Sequence, residues 1–211
     1  IKPLPHNGVV LLGRSLGLLV FLFSRKRKIS ALKNLNIMFS DSKTTDEKKK
    51  IIKKSFKILA VSALQSIWVT TKTEERVRQL IKLEPIGLET LKKCLKKKRG
   101  IFFLTAHYGN WEIMGLYHGI LGICPLSSIV RKLDNPYLEK IVTEMRTSTG
   151  NKIFHRDDSL IKIVRELKKN NSVAVMMDQN TAKGGLFVDF FGLKASAQRD
   201  IAPVSYKHLR D

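Results

Sequence analysis

From Gly100 onward the sequence alternates short apolar runs with segments of helical periodicity, and this alternation restricts the fold more than any other feature. The apolar runs lie at residues 101–105, 127–130, 152–155 and 173–177, and helical patterns fill 110–121, 135–147 and 157–169 between them. Strands that alternate with helices predict an α/β fold in which a mostly parallel sheet is covered by helices. Residues 186–191 predict a further strand or hairpin arm.

The first 99 residues predict a helical and basic N-terminal part. Thr44 and Glu47 have the spacing of a capping box and open a long helix. Its predicted apolar face comprises Ile52, Phe56, Leu59, Ala63 and Ile67, and Lys48, Lys49, Lys53 and Lys57 occupy the other side. Residues 73–83 and 87–98 predict two shorter helices, the second stopped by Gly100. We therefore expect a helical part, residues 1–99, and an α/β part, residues 100–203.

Residues 8–23 form an apolar segment that Arg14 interrupts. The segment is shorter than the ~20 residues needed to span a bilayer, so we expect a helix that lies in the interface or is partly buried. A basic cluster at residues 25–28 follows it, and near a cytoplasmic leaflet each basic residue can add ~1 kcal/mol of attraction to anionic lipid. A signal peptide is the alternative, although its basic residues would precede the apolar run.

The charge balance favours anionic partners, because 39 Lys+Arg and 18 Asp+Glu give a formal net charge of +21. Nucleic acid, an anionic membrane surface and an acidic carrier protein all fit this balance, and a solvated basic face fits it too. Cys94 and Cys124 have no C-x-x-C spacing, so the sequence predicts neither a zinc site nor a disulfide framework. A reducing compartment that faces the cytosol is the default expectation.

His107 and Glu112 bring a base and an acid to one predicted strand-to-helix corner. The strand at 101–105 stops just before His107, and Glu112 lies in the first turn of the next helix. The two side chains can converge, so that the carboxylate holds one ring nitrogen and the other nitrogen takes a proton from an alcohol. The alternative is a buried histidine bonded to backbone and an ordinary first-turn acid.

The sequence lacks the motifs of several other common enzyme and nucleotide-binding sites. The His107–Glu112 spacing is not that of a zinc protease, and no G-x-S-x-G elbow is present. The glycines at 184 and 185 lack the spacing of a nucleotide-binding loop. What remains is direct transfer to a hydroxyl without a covalent enzyme intermediate, and we expect no cofactor and no metal.

Four ordered blocks resemble those of the bacterial lipid A acyltransferase branch of the lysophospholipid acyltransferase superfamily. TAHYGNWE at 105–112 resembles the H-x4-D/E block in its H-x-G-N-W-E form, and RKLDNP at 131–136 resembles A-R-P-x-D-N-P. DQN at 178–180 matches D-Q-N, and GLFVDFFG at 185–192 resembles G-V-F-V-P-F-F-G. The blocks extend over roughly ninety residues and keep the family's order.

The resemblance implies a membrane-bound enzyme that moves a fatty acyl group from an acyl carrier protein or coenzyme A thioester to a hydroxyl of a lipid. The implied acceptor is a lipid A precursor or related glycolipid, and the implied location is the cytoplasmic face of the bacterial inner membrane. His107 would be the general base, and Glu112 would orient and charge it.

The resemblance also implies a set of substrate-binding residues. Arg131 is the candidate cation that faces the developing negative charge, with a phosphate-binding or surface arginine as the alternative. Asp178 and Gln179 would line and brace the site, because they follow a predicted strand end. Phe190 belongs to an aromatic group that lines either the core or an acyl groove. Asn110 and Gly192 complete the set, and a helix cap is the alternative role of Asn110.

Two departures from the family pattern affect these expectations. Asp189 stands where the family usually has proline. After Ala202-Pro203 the family continues with an apolar helix and a strand, whereas residues 204–211 resemble a translated sequencing adapter. We therefore expect residues 204–211 to be non-native and the α/β domain to be a C-terminally truncated fragment with exposed sheet edges.

Three alternatives to the lipid A activity remain open at this point. An acyltransferase for another lysolipid or glycolipid would use the same chemistry. A basic nucleic-acid-binding protein would need a basic stripe interleaved with aromatic residues, but here the aromatic residues lie mainly in apolar runs, so we expect no nucleic acid partner. A membrane scaffold without catalysis would not need His107 or Glu112.

Overall fold

Three α-helices build residues 1–71, all of which the computed structural model describes: α1 (His6–Phe23), α2 (Arg25–Phe39) and α3 (Thr45–Trp68). A 3-10 turn, Ser40–Ser42, links α2 to α3. The structure as a whole describes residues 1–81, 86–155, 160–181 and 184–198. The predicted capping box starts α3, because Thr44 Oγ1 accepts the Glu47 N–H and Glu47 Oε2 accepts the Thr44 N–H.

Helix α1 packs closely along α3 because two glycines face it. A Cβ atom at Gly17 would lie 2.6 Å from the Cα atom of Lys57, and one at Gly13 would lie 2.7 Å from the Cα atom of Val61. The indole N–H of Trp68 donates to the Leu4 carbonyl at 2.8 Å and ties the ends of the two helices together. The side of α1 away from α3 is apolar and exposed, with Leu11, Leu19, Leu22 and Phe23 on it.

Among the described residues, α1 is the one helix long and apolar enough to cross a membrane, judged by length and composition alone. It has 18 residues, so it is slightly longer than the apolar segment predicted from residue 8. Only three of its residues, Val9, Gly13 and Gly17, are buried. The apolar character of α1 is therefore directed mainly outward.

The predicted buried face of α3 is wrong beyond Phe56. Leu59, Ala63 and Ile67 are exposed, whereas Leu64 and Trp68 are buried. Lys48, predicted on the solvated side, is 6% exposed, and its ammonium group donates to the Ser40 carbonyl at 2.6 Å. The difference arises from the packing of α1 on α3. The glycines of α1 contact the side of α3 that carries residues 57, 61, 64 and 68, and this side is rotated about a third of a turn from the predicted apolar face.

The second compact unit begins at Lys72 with two short helices, α4 (Thr73–Leu80) and α5 (Leu88–Lys96). The parallel strands follow: β1 (Ile101–Thr105), β2 (Leu126–Val130), β3 (Lys152–His155) and β4 (Ser172–Met176). In the described part of the chain they form one sheet in the order β1-β4-β2-β3, with every pair parallel. The predicted α/β fold with a mostly parallel sheet is confirmed. The expected functional division at residues 99 and 100 stays a prediction.

Helices cover both faces of the sheet: α6 (Trp111–Leu121), α7 (Pro136–Thr147) and α8 (Leu160–Lys168). Right-handed crossovers from β1 to β2 and from β2 to β3 place α6 and α7 on one face, and the return from β3 to β4 places α8 on the other. Contacts agree with this. The Phe103 ring lies 5.4 Å from the His118 ring of α6, whereas Phe102 packs against Ile163 and Leu167 of α8.

An antiparallel hairpin, β5 (Leu186–Phe190) and β6 (Leu193–Ala197), follows the sheet. Both loop residues, Phe191 and Gly192, have positive φ, of 51° and 75°, as tight hairpin turns require. Asp189 pairs with Lys194 across the strands at 2.8 Å. The side chains of β5 are exposed, including Phe187 and Phe190, so the core interpretation of these phenylalanines is wrong and the acyl-groove interpretation stays a prediction.

Several predictions fall outside the described residues. They are the start of the helix at 157–169, the end of the helix at 73–83, and the segment 199–211 with its suspected non-native tail.

Candidate active site

The carboxyl ends of β1 and β4 bring His107 and Asp178 side by side. The two strands are neighbours, and their register pairs Thr105 with Met176. His107 lies two residues after Thr105, and Asp178 lies two residues after Met176. The two residues therefore lie opposite each other. Ligand crevices of open parallel sheets lie at this edge.

Asp178 binds His107 with both carboxylate oxygens. Oδ2 accepts the backbone N–H of His107 at 2.8 Å, and Oδ1 lies 2.8 Å from the ring atom Nδ1. The two side chains are 31% and 34% exposed, so the pair is partly shielded and still accessible from one side. Because one carboxylate holds both the main chain and the ring, the imidazole cannot turn without breaking a hydrogen bond.

The pKa of Asp178 reflects its contacts with His107. Partial burial alone would raise this pKa, but hydrogen bonds from the ring and the backbone N–H of His107 outweigh it and hold the pKa below the ordinary 3.8. Asp178 is therefore ionised at neutral pH, and an ionised carboxylate only accepts hydrogen bonds. The contact therefore suits a His107 ring that carries its hydrogen on Nδ1.

The far nitrogen of His107, Nε2, is not bound by Asp178. The side-chain Nε2 of Gln179 is 3.4 Å from it, a long contact that an incoming hydroxyl can replace. The Trp111 ring packs edge-to-face against the imidazole, with a centroid distance of 5.0 Å and an angle of 74°. Nε2 can therefore accept a proton from a bound alcohol.

Glu112 does not hold His107, which corrects the predicted contact. Its carboxylate binds the guanidinium group of Arg146 with both oxygens, at 2.9 Å to Nε and 2.6 Å to Nη2, and it also accepts the indole N–H of Trp111. Burial alone would lower the pKa of Arg146, but the hydrogen bonds and charge of Glu112 raise it instead. This ion pair joins α6 to α7.

A cavity of about 930 Å³ lies along the carboxyl edge of the sheet. His107, Glu112, Arg131, Arg146 and Gln179 line it. Both of the predicted catalytic residues therefore face the same space although they do not touch. The volume is within the range of small-molecule and cofactor sites.

Arg131 lies just beyond β2, on the wall of the cavity. Its Nη2 atom donates to Asp134 at 3.1 Å, and its side chain is 79% exposed. The following Asn135 caps α7 by accepting the N–H groups of Tyr137 and Leu138, and Pro136 occupies the first helical position. The RKLDNP block is therefore a second strand-to-helix corner, and it presents a cation to the cavity.

The other predicted site residues have mainly local contacts. Asn110 caps α6, because its Oδ1 atom accepts the Ile113 N–H at 3.3 Å. Phe190 and Gly192 belong to the exposed hairpin and are not among the described residues that line the cavity. The hairpin is nevertheless attached to the site loop, since Thr181 N–H donates to the Ser196 carbonyl and Ser196 Oγ donates to the Thr181 carbonyl.

Sequence reasoning missed Arg146 and the contact between Asp178 and His107. Arg146 lies in the last turn of a polar helix, and no motif distinguishes it from neighbouring basic residues. Asp178 is among the predicted site residues, but 71 residues separate it from His107, and no local pattern predicts their contact. Within the described ranges, no group of three His, Cys, Asp or Glu side chains could hold a metal ion.

The fold and the site define an α/β protein with a histidine–carboxylate pair at the carboxyl edge of a parallel sheet, beside a cavity of substrate size. The chain belongs to the bacterial lipid A biosynthesis acyltransferase family, whose model matches residues 1–209.

Curated relatives agree with this family. The chain is 28% identical over 193 residues to the lipid A biosynthesis palmitoleoyltransferase of Escherichia coli (strain K12), and equally to the lipid A biosynthesis acyltransferase of Shigella flexneri. Each match covers 90% of this chain and 61% of the relative. A phosphatidylinositol mannoside acyltransferase of Mycolicibacterium smegmatis is 24% identical over 114 residues, or 52% of this chain and 37% of that protein. The chain therefore spans about six-tenths of its first two relatives.

Proposed function

We propose that this protein is an O-acyltransferase that moves a fatty acyl group from a thioester to a hydroxyl of a lipid. One observation carries the proposal: His107 is held at Nδ1 by Asp178 and lines a large cavity, in a chain of the lipid A acyltransferase family. A neutral imidazole held in this way is suited to act as a general base.

The reaction needs one base and no covalent enzyme intermediate. Nε2 of His107 takes the proton of the acceptor hydroxyl while the hydroxyl oxygen bonds to the thioester carbonyl carbon. The tetrahedral intermediate then breaks its carbon–sulfur bond, and the imidazolium gives its proton to the leaving thiolate. The products are an ester and a free thiol.

The negative charge on the carbonyl oxygen needs a partner during this step, and Arg131 is our candidate. It lies at the carboxyl end of β2, lines the same cavity, and makes a solvent-exposed ion pair that a substrate can displace. A cation aimed at the developing charge lowers the barrier because it interacts more strongly with the transition state than with the ground state.

The proposed donor is an acyl carrier protein or coenzyme A thioester, and the proposed acceptor is a lipid A precursor or related glycolipid at the cytoplasmic face of the inner membrane. The net charge of +21 favours both an acidic carrier and an anionic leaflet. The exposed leucines of α1 and the basic cluster at 25–28 suit contact with lipid. The resemblance to an acyltransferase named for a mannoside supports a different glycolipid as the second candidate acceptor.

The test is acyl transfer in vitro, with acyl carrier protein and coenzyme A thioesters as alternative donors and a lipid A precursor or a phosphatidylinositol mannoside as alternative acceptors. We expect His107→Ala to lower the rate by 10²–10⁴-fold, the usual contribution of a general base. His118→Gln is the matched control, because His118 is not among the described residues that line the cavity and donates to the Cys124 carbonyl, which glutamine can also do.

A folded chain that consumes no donor with any of these acceptors would contradict the proposal. Equal rates for the wild-type and His107→Ala proteins would do the same. A salt-dependent shift of nucleic acid that His107→Ala leaves unchanged would instead favour the nucleic-acid-binding alternative.

A further inference from the structure

We infer that Asp178, rather than Glu112, is the residue that positions His107 for proton transfer, by deciding which ring nitrogen carries hydrogen. The inference rests on the proposed function and deepens it, because it assigns separate roles to the two carboxylates of the site. Asp178 is a positioning residue, since it acts on the substrate only through the imidazole.

The contacts of the two carboxylates separate their roles. Asp178 uses both oxygens on His107, one on the backbone N–H and one on Nδ1, each at 2.8 Å. Glu112 uses both oxygens on Arg146 and also accepts the Trp111 indole N–H. The Arg146 side chain is 26% exposed, so a Glu112 that turned toward His107 would leave a largely buried guanidinium without its carboxylate.

Two neighbours favour the same tautomer of His107. The carboxylate of Asp178 can only accept, so Nδ1 must donate. The amide N–H of Gln179 can only donate, and it faces Nε2 at 3.4 Å, so Nε2 must carry the lone pair. Gln179 therefore occupies the position that the acceptor hydroxyl takes when it gives its proton to Nε2.

The remaining charges near the ring are already paired. Glu112 of α6 binds Arg146 of α7, and Arg131 beyond β2 binds Asp134. His155, at the end of β3, lies 3.9 Å from Glu139. Among the charged groups near the cavity in the described part of the chain, Asp178 is the one that contacts His107 directly.

The experiment compares two isosteric variants of the whole chain, Asp178→Asn and Glu112→Gln, with the wild type. The protein is labelled with ¹⁵N-histidine, and long-range ¹H–¹⁵N correlation spectra report which ring nitrogen is protonated at a pH where the ring is neutral. The spectrum of His107→Gln identifies the signals of His107 among the five histidines. Acyl transfer is measured on the same samples.

We expect the wild-type and Glu112→Gln spectra to show Nδ1 protonated and Nε2 unprotonated. In Asp178→Asn this signature changes to a mixture of tautomers, and acyl transfer falls by at least 10²-fold. Circular dichroism shows whether Asp178→Asn keeps the wild-type fold. If Asp178 had only a structural role, a variant that keeps this fold would also keep the wild-type tautomer of His107.

Three results would overturn the inference: a wild-type His107 protonated at Nε2, a Glu112→Gln variant that loses the signature, or an Asp178→Asn variant that keeps it. If Asp178→Asn does not fold, the wild-type and Glu112→Gln spectra still test the inference. A wild-type protein with the expected tautomer but no acyl transfer would overturn the proposed function and leave the pairing of Asp178 with His107 supported.

Discussion

At the scale of single residues, the ion pair of Glu112 and Arg146 is the least exposed charged contact in the candidate site. The two side chains are 17% and 26% exposed, and both oxygens of the carboxylate are used. Such a pair stabilises the site mainly because each charge would be costly without the other. We therefore assign to Glu112 the task of holding α6 against α7 beside the base.

We predict that Arg146→Met lowers the free energy of unfolding by about 3 kcal/mol, since it leaves the Glu112 carboxylate largely buried without a cation. Glu112→Gln should cost less, about 1–2 kcal/mol, because an amide can still bond to the guanidinium. The double variant should lose less unfolding free energy than the two single variants lose together, by about 1 kcal/mol or more. Urea denaturation measures all three, and additive losses would show that the pair is not coupled.

At the scale of elements, the packing of α1 on α3 depends on glycine. A Cβ atom at Gly17 would lie 2.7 Å from the Phe56 carbonyl oxygen as well as 2.6 Å from the Cα atom of Lys57. Backbone atoms cannot move aside as a flexible side chain can. The two helices would have to separate to admit even a methyl group.

We predict that Gly17→Ala destabilises this helix pair by about 1–3 kcal/mol, the usual cost of overpacking. Gly8→Ala is the matched control, because its Cβ atom would meet Pro5 at an ordinary 3.6 Å and the helix gains about 0.5–1 kcal/mol over glycine. Hydrogen exchange of the α1 amides separates the two effects. Equal protection in both variants would contradict the close packing of α1 on α3.

At the scale of the whole molecule, charge and apolar surface together suit the proposed contact with a lipid surface. The net charge is +21, and its clusters include residues 25–28, directly after α1, and residues 96–99, at the end of α5. The outward side of α1 carries leucines and a phenylalanine that is 84% exposed. Apolar contact and electrostatic attraction add when they act at the same membrane.

We predict that the chain binds vesicles with anionic lipid more tightly than neutral vesicles, and that added salt weakens binding. Replacing all four basic residues at 25–28 by glutamine should weaken binding at least tenfold, since each contributes up to ~1 kcal/mol. The matched control replaces the four basic residues at 96–99 and changes the net charge equally. Equal losses in a sedimentation assay would mean that net charge alone drives adsorption.

The local features of the fold were predictable because neighbouring residues determine them. Apolar runs of four or five residues became strands within one residue of the predicted limits, and the capping box at Thr44 starts α3 as expected. The alternation of strands and helices after Gly100 was sufficient for the α/β class, since only a parallel sheet accommodates it. Periodicity failed for the buried face of α3, because the glycines of α1 select the side that packs.

The candidate site divides in the same way. The sequence by itself determined that His107 follows a strand, that Glu112 lies in the first turn of the next helix, and that Asp178 follows another strand. Only the tertiary structure decided which acid meets the base. The strand order β1-β4-β2-β3 places β4 directly beside β1, so Asp178 reaches His107 across 71 residues. Glu112, five residues away, lies on a helix that directs it to Arg146 instead. The strand order follows from how the helices pack on the whole sheet, and no local pattern encodes it.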